Sequence, residues 1–250
     1  MQKPDYGIDS PQIVCGQLGT GLVALALALF KPVFFGFHFR WLEVAFGIYF
    51  LHAAFGMIEY SRKGKLRLRE TLLDRIPWRG DEMALDVGCG KGLLLTAAAR
   101  RLNTGKAVGV DLWLAHAISG NSPEAVLRNA ELEGVGDRVE VKTGDARDLP
   151  FDSRSFDVVV SNFVLHEVDT PADRQKMLEE MVRVLRPGGH LALIDFIFTK
   201  ECAAVLQRAG MADARRSRIG GLRHWIGAIL LLGLFQLCVV TATKRSARKT

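Results

Sequence analysis

The stretch Ala84-Leu85-Asp86-Val87-Gly88-Cys89-Gly90-Lys91-Gly92 decides the fold. An apolar run that ends in a carboxylate and a glycine-rich turn reads as a buried strand feeding a helix, with glycines that let backbone approach a ligand closely. The spacing is G-x-G-x-G, without the third glycine of the dinucleotide fingerprint G-x-G-x-x-G. About twenty residues further on, Val108-Gly109-Val110-Asp111 ends a second strand with another carboxylate, where an open sheet presents it to a ribose diol.

Working outward, short apolar runs alternate with helical patterns, the signature of a parallel sheet with crossover helices. Strands are expected near 82–87, 106–111, 138–143, 155–160, 189–196, 211–218 and 237–243, the last of them antiparallel. Helices are expected near 66–76, 91–102, 122–134, 171–186 and 200–210. Two helix starts are marked in the sequence: Ser122 precedes Pro123, and Thr170 precedes Pro171 with Asp173 three residues after the cap.

The chain has 250 residues, enough for one main domain and an appendage. Its apolar fraction of 49% and mean hydropathy of +0.14 are high for a soluble enzyme, and the excess is concentrated in two places. Pro11 to Phe30 holds no charged residue, and 20 helical residues at about 1.5 Å each span a bilayer core. Trp41 to Tyr60 is nearly as apolar, interrupted by Glu43, His52 and Glu59, with a turn expected from Lys31-Pro32 to Arg40. Residues 1–62 therefore read as a membrane-anchoring hairpin of two transmembrane helices, and 63–250 as the main domain. Leu222 to Val240 is the second apolar concentration, read as an insertion near Trp225 to Phe235 ahead of the last strand.

Net charge is +6. The basic residues Arg62, Lys63, Lys65, Arg67 and Arg69 directly follow the second apolar stretch, and Lys244, Arg245, Arg248 and Lys249 end the chain. This placement favours lipid headgroups over nucleic acid, and it predicts that the main domain stands on the cytoplasmic side. The cysteines Cys15, Cys89, Cys202 and Cys238 are scattered, with no spacing suited to a disulfide framework or a metal site.

Three more motifs stand at the expected places: Thr143-Gly144-Asp145-Ala146, Phe156-Asp157-Val158-Val159-Val160-Ser161-Asn162, and Leu185-Arg186-Pro187-Gly188-Gly189. With the first two they resemble the class I methyltransferases over residues 66 to 245, on the small-molecule side of that group. The resemblance implies an α/β, Rossmann-like seven-stranded sheet with helices on both faces, and S-adenosylmethionine as cofactor. It assigns Asp86 and the turn Gly88, Cys89, Gly90 and Gly92 to the methionine part, and Asp111 to the ribose hydroxyls. Leu112 or Trp113 would pack on the adenine, Asp145 would accept from its amine, Ala146 backbone would face a ring nitrogen, and Asn162 would lie beside the methionine. Cys89 also reads as a small turn filler, Lys91 as a solvated head, and Trp113 as a core residue.

For proton removal from the acceptor, His166 and Glu167 are the best-placed residues, His116 and Asp195 weaker ones. His166 reads equally as a packing residue, and Glu167 as a solvated one. The run Ser161-Asn162-Phe163-Val164-Leu165 lacks the D/N-P-P-Y/F pattern of the base-amine methyltransferases, which disfavours nucleic acid as substrate. Methyl transfer to a small, lipophilic acceptor at a membrane is the expected function. A membrane scaffold or cofactor sensor without turnover is the alternative.

Overall fold

In the computed structural model, which describes residues 2–30, 40–114, 117–219 and 237–246, the quoted run becomes β1 (Met83–Val87). It lies near the middle of a seven-stranded sheet with β2 (Lys106–Asp111), β3 (Val139–Thr143), β4 (Phe156–Asn162), β5 (Leu185–Asp195), β6 (Met211–Arg218) and β7 (Cys238–Lys244). Strand order is β3-β2-β1-β4-β5-β7-β6. The five strands from β3 across to β5 pair in parallel, and β7 runs antiparallel to both β5 and β6. This is the Rossmann-like mixed sheet.

Alternation along the strands sends apolar side chains to both faces. Leu85, Val87, Val159, Leu191 and Leu193 face one core with Met177, Leu178 and Met181 of α6 (Pro171–Val184) and Leu206 of α7 (Thr199–Arg208). Ala84, Val158, Val160 and Ala192 face the other, against Leu68 and Leu72 of α3 (Lys65–Leu73) and Leu94 and Ala98 of α4 (Leu93–Ala99). Helix α5 (Pro123–Leu132) covers the β2–β3 end through Val126 and Ala130. Both expected helix starts are capped: the Ser122 side chain accepts from Ala125 N at 3.2 Å, and Thr170 from Asp173 N at 3.0 Å.

Ahead of the sheet, α1 (Pro11–Phe30) and α2 (Arg40–Glu59) pack as a pair. Their closest approach is at two glycines. A Cβ on Gly47 would lie 2.6 Å from Leu25 Cγ, and one on Gly21 3.0 Å from the Gly47 carbonyl. Small residues of this kind let helix backbones meet closely in an apolar solvent. After α2 one π-helical turn, Tyr60–Gly64, leads straight into α3. Residues 31–39, 220–236 and the tail beyond 246 lie outside the described residues, and with them the expected turn, the Trp225 to Phe235 insertion, Arg248 and Lys249.

The N-terminal arm, residues 2–10, packs on the sheet domain, and its Asp9 also exchanges hydrogen bonds with Ser61 in the turn after α2. Tyr6 is buried, its hydroxyl 2.8 Å from Thr96 Oγ1 and donating to Glu133 Oε1 at 2.7 Å. Lys65 Nζ donates to the carbonyls of Tyr6 and Gly7 and to Asp9 Oδ1, and Arg69 donates to the Tyr6 hydroxyl. Two residues expected at lipid headgroups are therefore turned inward, because the arm offers a buried set of acceptors that water would otherwise have to supply. Arg62, Lys63 and Arg67 remain exposed. Lys244 is likewise removed from the basic tail, donating to the carbonyls of Val182 and Leu185 at the end of α6.

Candidate active site

In a sheet of this order the chain moves outward from β1 through β2 to β3, then returns to β4 on the other side of β1. The crevice at that switch, beyond the carboxyl ends of the strands, is where such folds bind ligands. A cavity of about 700 Å³ opens there. It is lined on one side by Gly88, Gly90, Asp111, Asn121, Gly144 and Asn162, and a small adjoining pocket reaches Asp86.

The glycine turn owes its shape to its sequence. Gly88, Gly90 and Gly92 have φ of +70°, +53° and +82°, a region that side chains with a Cβ avoid. A Cβ on Gly90 would stand 2.7 Å from Ile118 Cδ1. Gly92, just ahead of α4, serves packing, its Cβ position lying 2.9 Å from Val126 Cγ1 of α5. Cys89 is buried under the turn with its Sγ against Gly109, a filler of the space, and burial pushes its thiol well up.

Asp111 is fixed by backbone amides: Oδ2 accepts from Gly90 N at 2.8 Å and Oδ1 from Trp113 N at 2.6 Å. Asn121 Nδ2 donates to Oδ1 at 3.4 Å, while its own Oδ1 is buried with no hydrogen-bond partner among the described residues. Asp86 is 2% exposed, and its Oδ2 is likewise buried and unpartnered. Burial pushes the Asp86 carboxyl up to about 8; a hydrogen bond from Leu95 backbone pulls it partly back, and Asp111 adds to the rise. Buried acceptors left open are costly, so two of them at one cleft mark places for a ligand's donors.

Such donors are what a sulfonium nucleoside carries. Its ammonium and ribose hydroxyls suit Asp86, Asp111 and Asn121, and it has no pyrophosphate to require an anion-binding helix end. The residues fit the group. Leu112, Ala146 and Asn162 line the cavity as expected positions. Trp113 does not: it packs beside the Val135 and Val139 cluster at β3, with Nε1 donating to Thr143 Oγ1 at 2.8 Å. Asp145 faces the cavity but is engaged by Arg147, whose Nη2 lies 2.6 Å from Oδ2 and whose presence holds the carboxyl below its usual range. Its free capacity for an adenine amine is correspondingly reduced.

His166 and Asp195, read separately from the sequence, form one unit. His166 Nδ1 is 3.2 Å from Oδ2 of the fully buried Asp195, which also accepts from the His166 backbone amide at 3.3 Å. Nε2 lies 3.3 Å from Glu167 Oε1. Burial works to lower the imidazole, but the two carboxylates outweigh it and push it up to about 9. His116 lies outside the described residues. Lys91 is 8% exposed and paired with Asp5 at 2.7 Å, so the solvated reading is corrected: the arm seats it beside the turn.

Several lining residues had no signal in the sequence. Asn121 and Ile118 come from a loop without a motif, and Asp9, Ser10, Ile13, Gln17, Met57 and Tyr60 come from the arm and hairpin. Only the tertiary arrangement brings these residues to the crevice.

Residues 85–193 match the model of a methyltransferase domain family. The chain is 36% identical over 152 residues, 61% of its length, to a 27-O-demethylrifamycin SV methyltransferase of Amycolatopsis mediterranei. It is 33% identical over 128 residues, 51% of its length, to a ubiquinone/menaquinone biosynthesis C-methyltransferase of Roseobacter denitrificans. These alignments take in 50% and 48% of the two relatives, so the chain spans about half the length of the curated relatives it matches. Among solved structures, the geranyl diphosphate C-methyltransferase of Streptomyces coelicolor with bound S-adenosyl-L-homocysteine is similar at a TM-score of 0.58 and 18% identity, covering 78% of this chain and 84% of that one. Domain match and fold together support a class I methyltransferase. The cofactor of that class is S-adenosylmethionine.

Proposed function

We propose that this chain transfers a methyl group from S-adenosylmethionine to a small, lipophilic acceptor at a membrane surface. One observation carries the reading: a single cavity joins the glycine turn, Asp111 and Asn121 to a wall supplied by Ile13, Gln17, Met57 and Tyr60 of the apolar hairpin. Support for the membrane comes from exposure. The helical runs Pro11–Leu29 and Arg40–Leu73 are long and apolar enough to cross a bilayer, and only 22% and 17% of an 18-residue apolar stretch of each are buried. A helix in the core of a soluble protein would be covered. The exposed Arg62, Lys63 and Arg67 beside the hairpin's inner end favour the cytoplasmic side for the sheet domain. The relatives' names, a 27-O-demethylrifamycin SV methyltransferase and a C-methyltransferase of ubiquinone/menaquinone biosynthesis, agree with a small lipophilic acceptor.

When bound, S-adenosylmethionine supplies an electrophilic methyl carbon on a sulfonium. The chain's own residues then have three tasks. Asp86, Asp111 and Asn121 hold the polar ends, so that alignment replaces a chance encounter, an effect worth about 7–11 kcal/mol in well-oriented systems. Phe163, Phe196 and the hairpin residues keep water from the reacting end. His166, oriented by Asp195, takes a proton from the acceptor once its own charge is lost, so the rate rises as pH approaches about 9.

The test is calorimetry of the detergent-solubilised full chain with S-adenosylhomocysteine, then transfer of labelled methyl into lipid extracts. Binding with label in the apolar fraction is expected. Absence of binding overturns the reading, and binding without turnover on any extract favours the scaffold alternative.

A further inference from the structure

The hairpin wall of the cavity contains two polar atoms that the chain leaves open. Gln17 Oε1 and Tyr60 Oη are both buried and have no hydrogen-bond partner among the described residues. Both side chains line the cavity, one from the first third of α1 and one from the turn that ends α2. Evolution has no folding reason to hold such groups beside an apolar wall, since each loses its water without gaining a partner. Around them stand Met57, Phe163 and Phe196, and Phe163 lies at 6.3 Å from the Tyr60 ring and 6.0 Å from the Phe196 ring, centroid to centroid. Ile13 lines the same cavity while standing 54% exposed, so the apolar wall reaches the outer surface of the hairpin at this residue.

We infer that the hairpin is itself half of the acceptor site: Gln17 and Tyr60 read a hydroxyl on an aromatic head group, while a single apolar tail leaves past Ile13 along the hairpin. The chemistry selects this class. An amide oxygen accepts, a phenol either accepts or donates, and a hydroxyl satisfies both. The aromatic walls suit a flat ring, which pairs edge-to-face with Phe rings at such separations. The tail follows from exposed Ile13 at the cavity's edge and exposed Leu27, which lies on the same side of α1 about four turns further along. The inference rests on the methyl-transfer reading for the presence of an acceptor, but assigns its recognition to residues outside the sheet domain.

The experiment uses the full chain in detergent, saturated with S-adenosylhomocysteine, and measures binding of 4-decylphenol, of its methyl ether, and of phenol. The wild type is expected to bind decylphenol about tenfold or more tightly than the ether, as a buried acceptor left unmatched predicts, and to bind tail-less phenol weakest. Q17L combined with Y60F is expected to bring phenol and ether within twofold of each other. M57W is expected to weaken both at least tenfold by filling the cavity. Throughout, S-adenosylhomocysteine affinity should stay within twofold of wild type, which also reports that each variant is folded. Failure of the wild type to prefer the phenol, or survival of the preference in the double variant, overturns the inference while cofactor binding stands. Loss of S-adenosylhomocysteine binding in the wild type would instead strike the methyl-transfer reading.

Discussion

The hairpin and the sheet domain use the same apolar residue types in opposite ways. Leu85, Leu95, Leu185 and Met177 in the sheet domain have no measurable exposure, whereas Leu22, Leu29, Trp41 and Leu42 in the hairpin are 60–75% exposed. In the sheet domain, polarity is arranged with equal care: Asp195 is fully buried but carries His166, and Glu82 is buried but accepts from the Arg79 and Gly80 amides. The difference is the one that the proposed membrane reading requires. Burial of leucine drives the sheet domain to fold in water, while on the membrane proposal the hairpin lies where exposed leucine is not penalised, and its helices approach most closely at Gly21 and Gly47.

The comparison is broken most directly by charge. Leu22→Arg with Ile48→Arg places two guanidiniums on exposed hairpin positions, at a cost of about 2.5–3.5 kcal/mol each in a bilayer. Membrane fractionation should show the protein lost from the membrane, and unchanged partition would mean that the hairpin faces water. Next in size, Asp111→Ala should weaken S-adenosylhomocysteine binding about 100-fold or more by calorimetry without touching membrane association. An untouched affinity would remove the cofactor reading from the sheet domain.

His166→Gln should lower turnover about 100-fold and abolish the rise of rate toward pH 9, with cofactor affinity unchanged. The same residue makes a stability prediction. Because its folded pKa is raised from 6.5 to about 9, its contribution, on the order of 3 kcal/mol, is fully present below about pH 6.5 and is lost as pH climbs through about 9. Denaturant melts at pH 6 and pH 10 should converge between wild type and variant at the higher pH.

Asp86 gives a smaller, pH-dependent effect. A carboxyl raised to about 8 by burial must give up its proton to meet an ammonium, so S-adenosylhomocysteine affinity should rise by up to about tenfold per pH unit from 6 toward 8. Calorimetry in buffers of different ionisation enthalpy should record the released proton, and a flat profile would place the ammonium elsewhere. Smallest of all, Asp145→Asn should change cofactor affinity only about two- to fivefold, because Arg147 already occupies that carboxylate.

What the sequence by itself determined was local. Alternating apolar runs, strand-end acids and glycine spacing located every strand of the sheet within a few residues, and Ser122 and Thr170 announced two helix starts, because caps and periodicity act between near neighbours. Asp86, Asp111 and the glycine turn stand in contiguous motifs for the same reason, and the fold gathers them at one crevice. The tertiary structure decided the rest. Pairing His166 with Asp195, turning Lys65 and Arg69 inward to the N-terminal arm, drawing Trp113 off the cavity and setting Gln17 and Tyr60 in its wall all join residues tens of positions apart. No periodicity or spacing encodes such contacts, since each depends on how the elements pack and on which buried polar group is left to be satisfied.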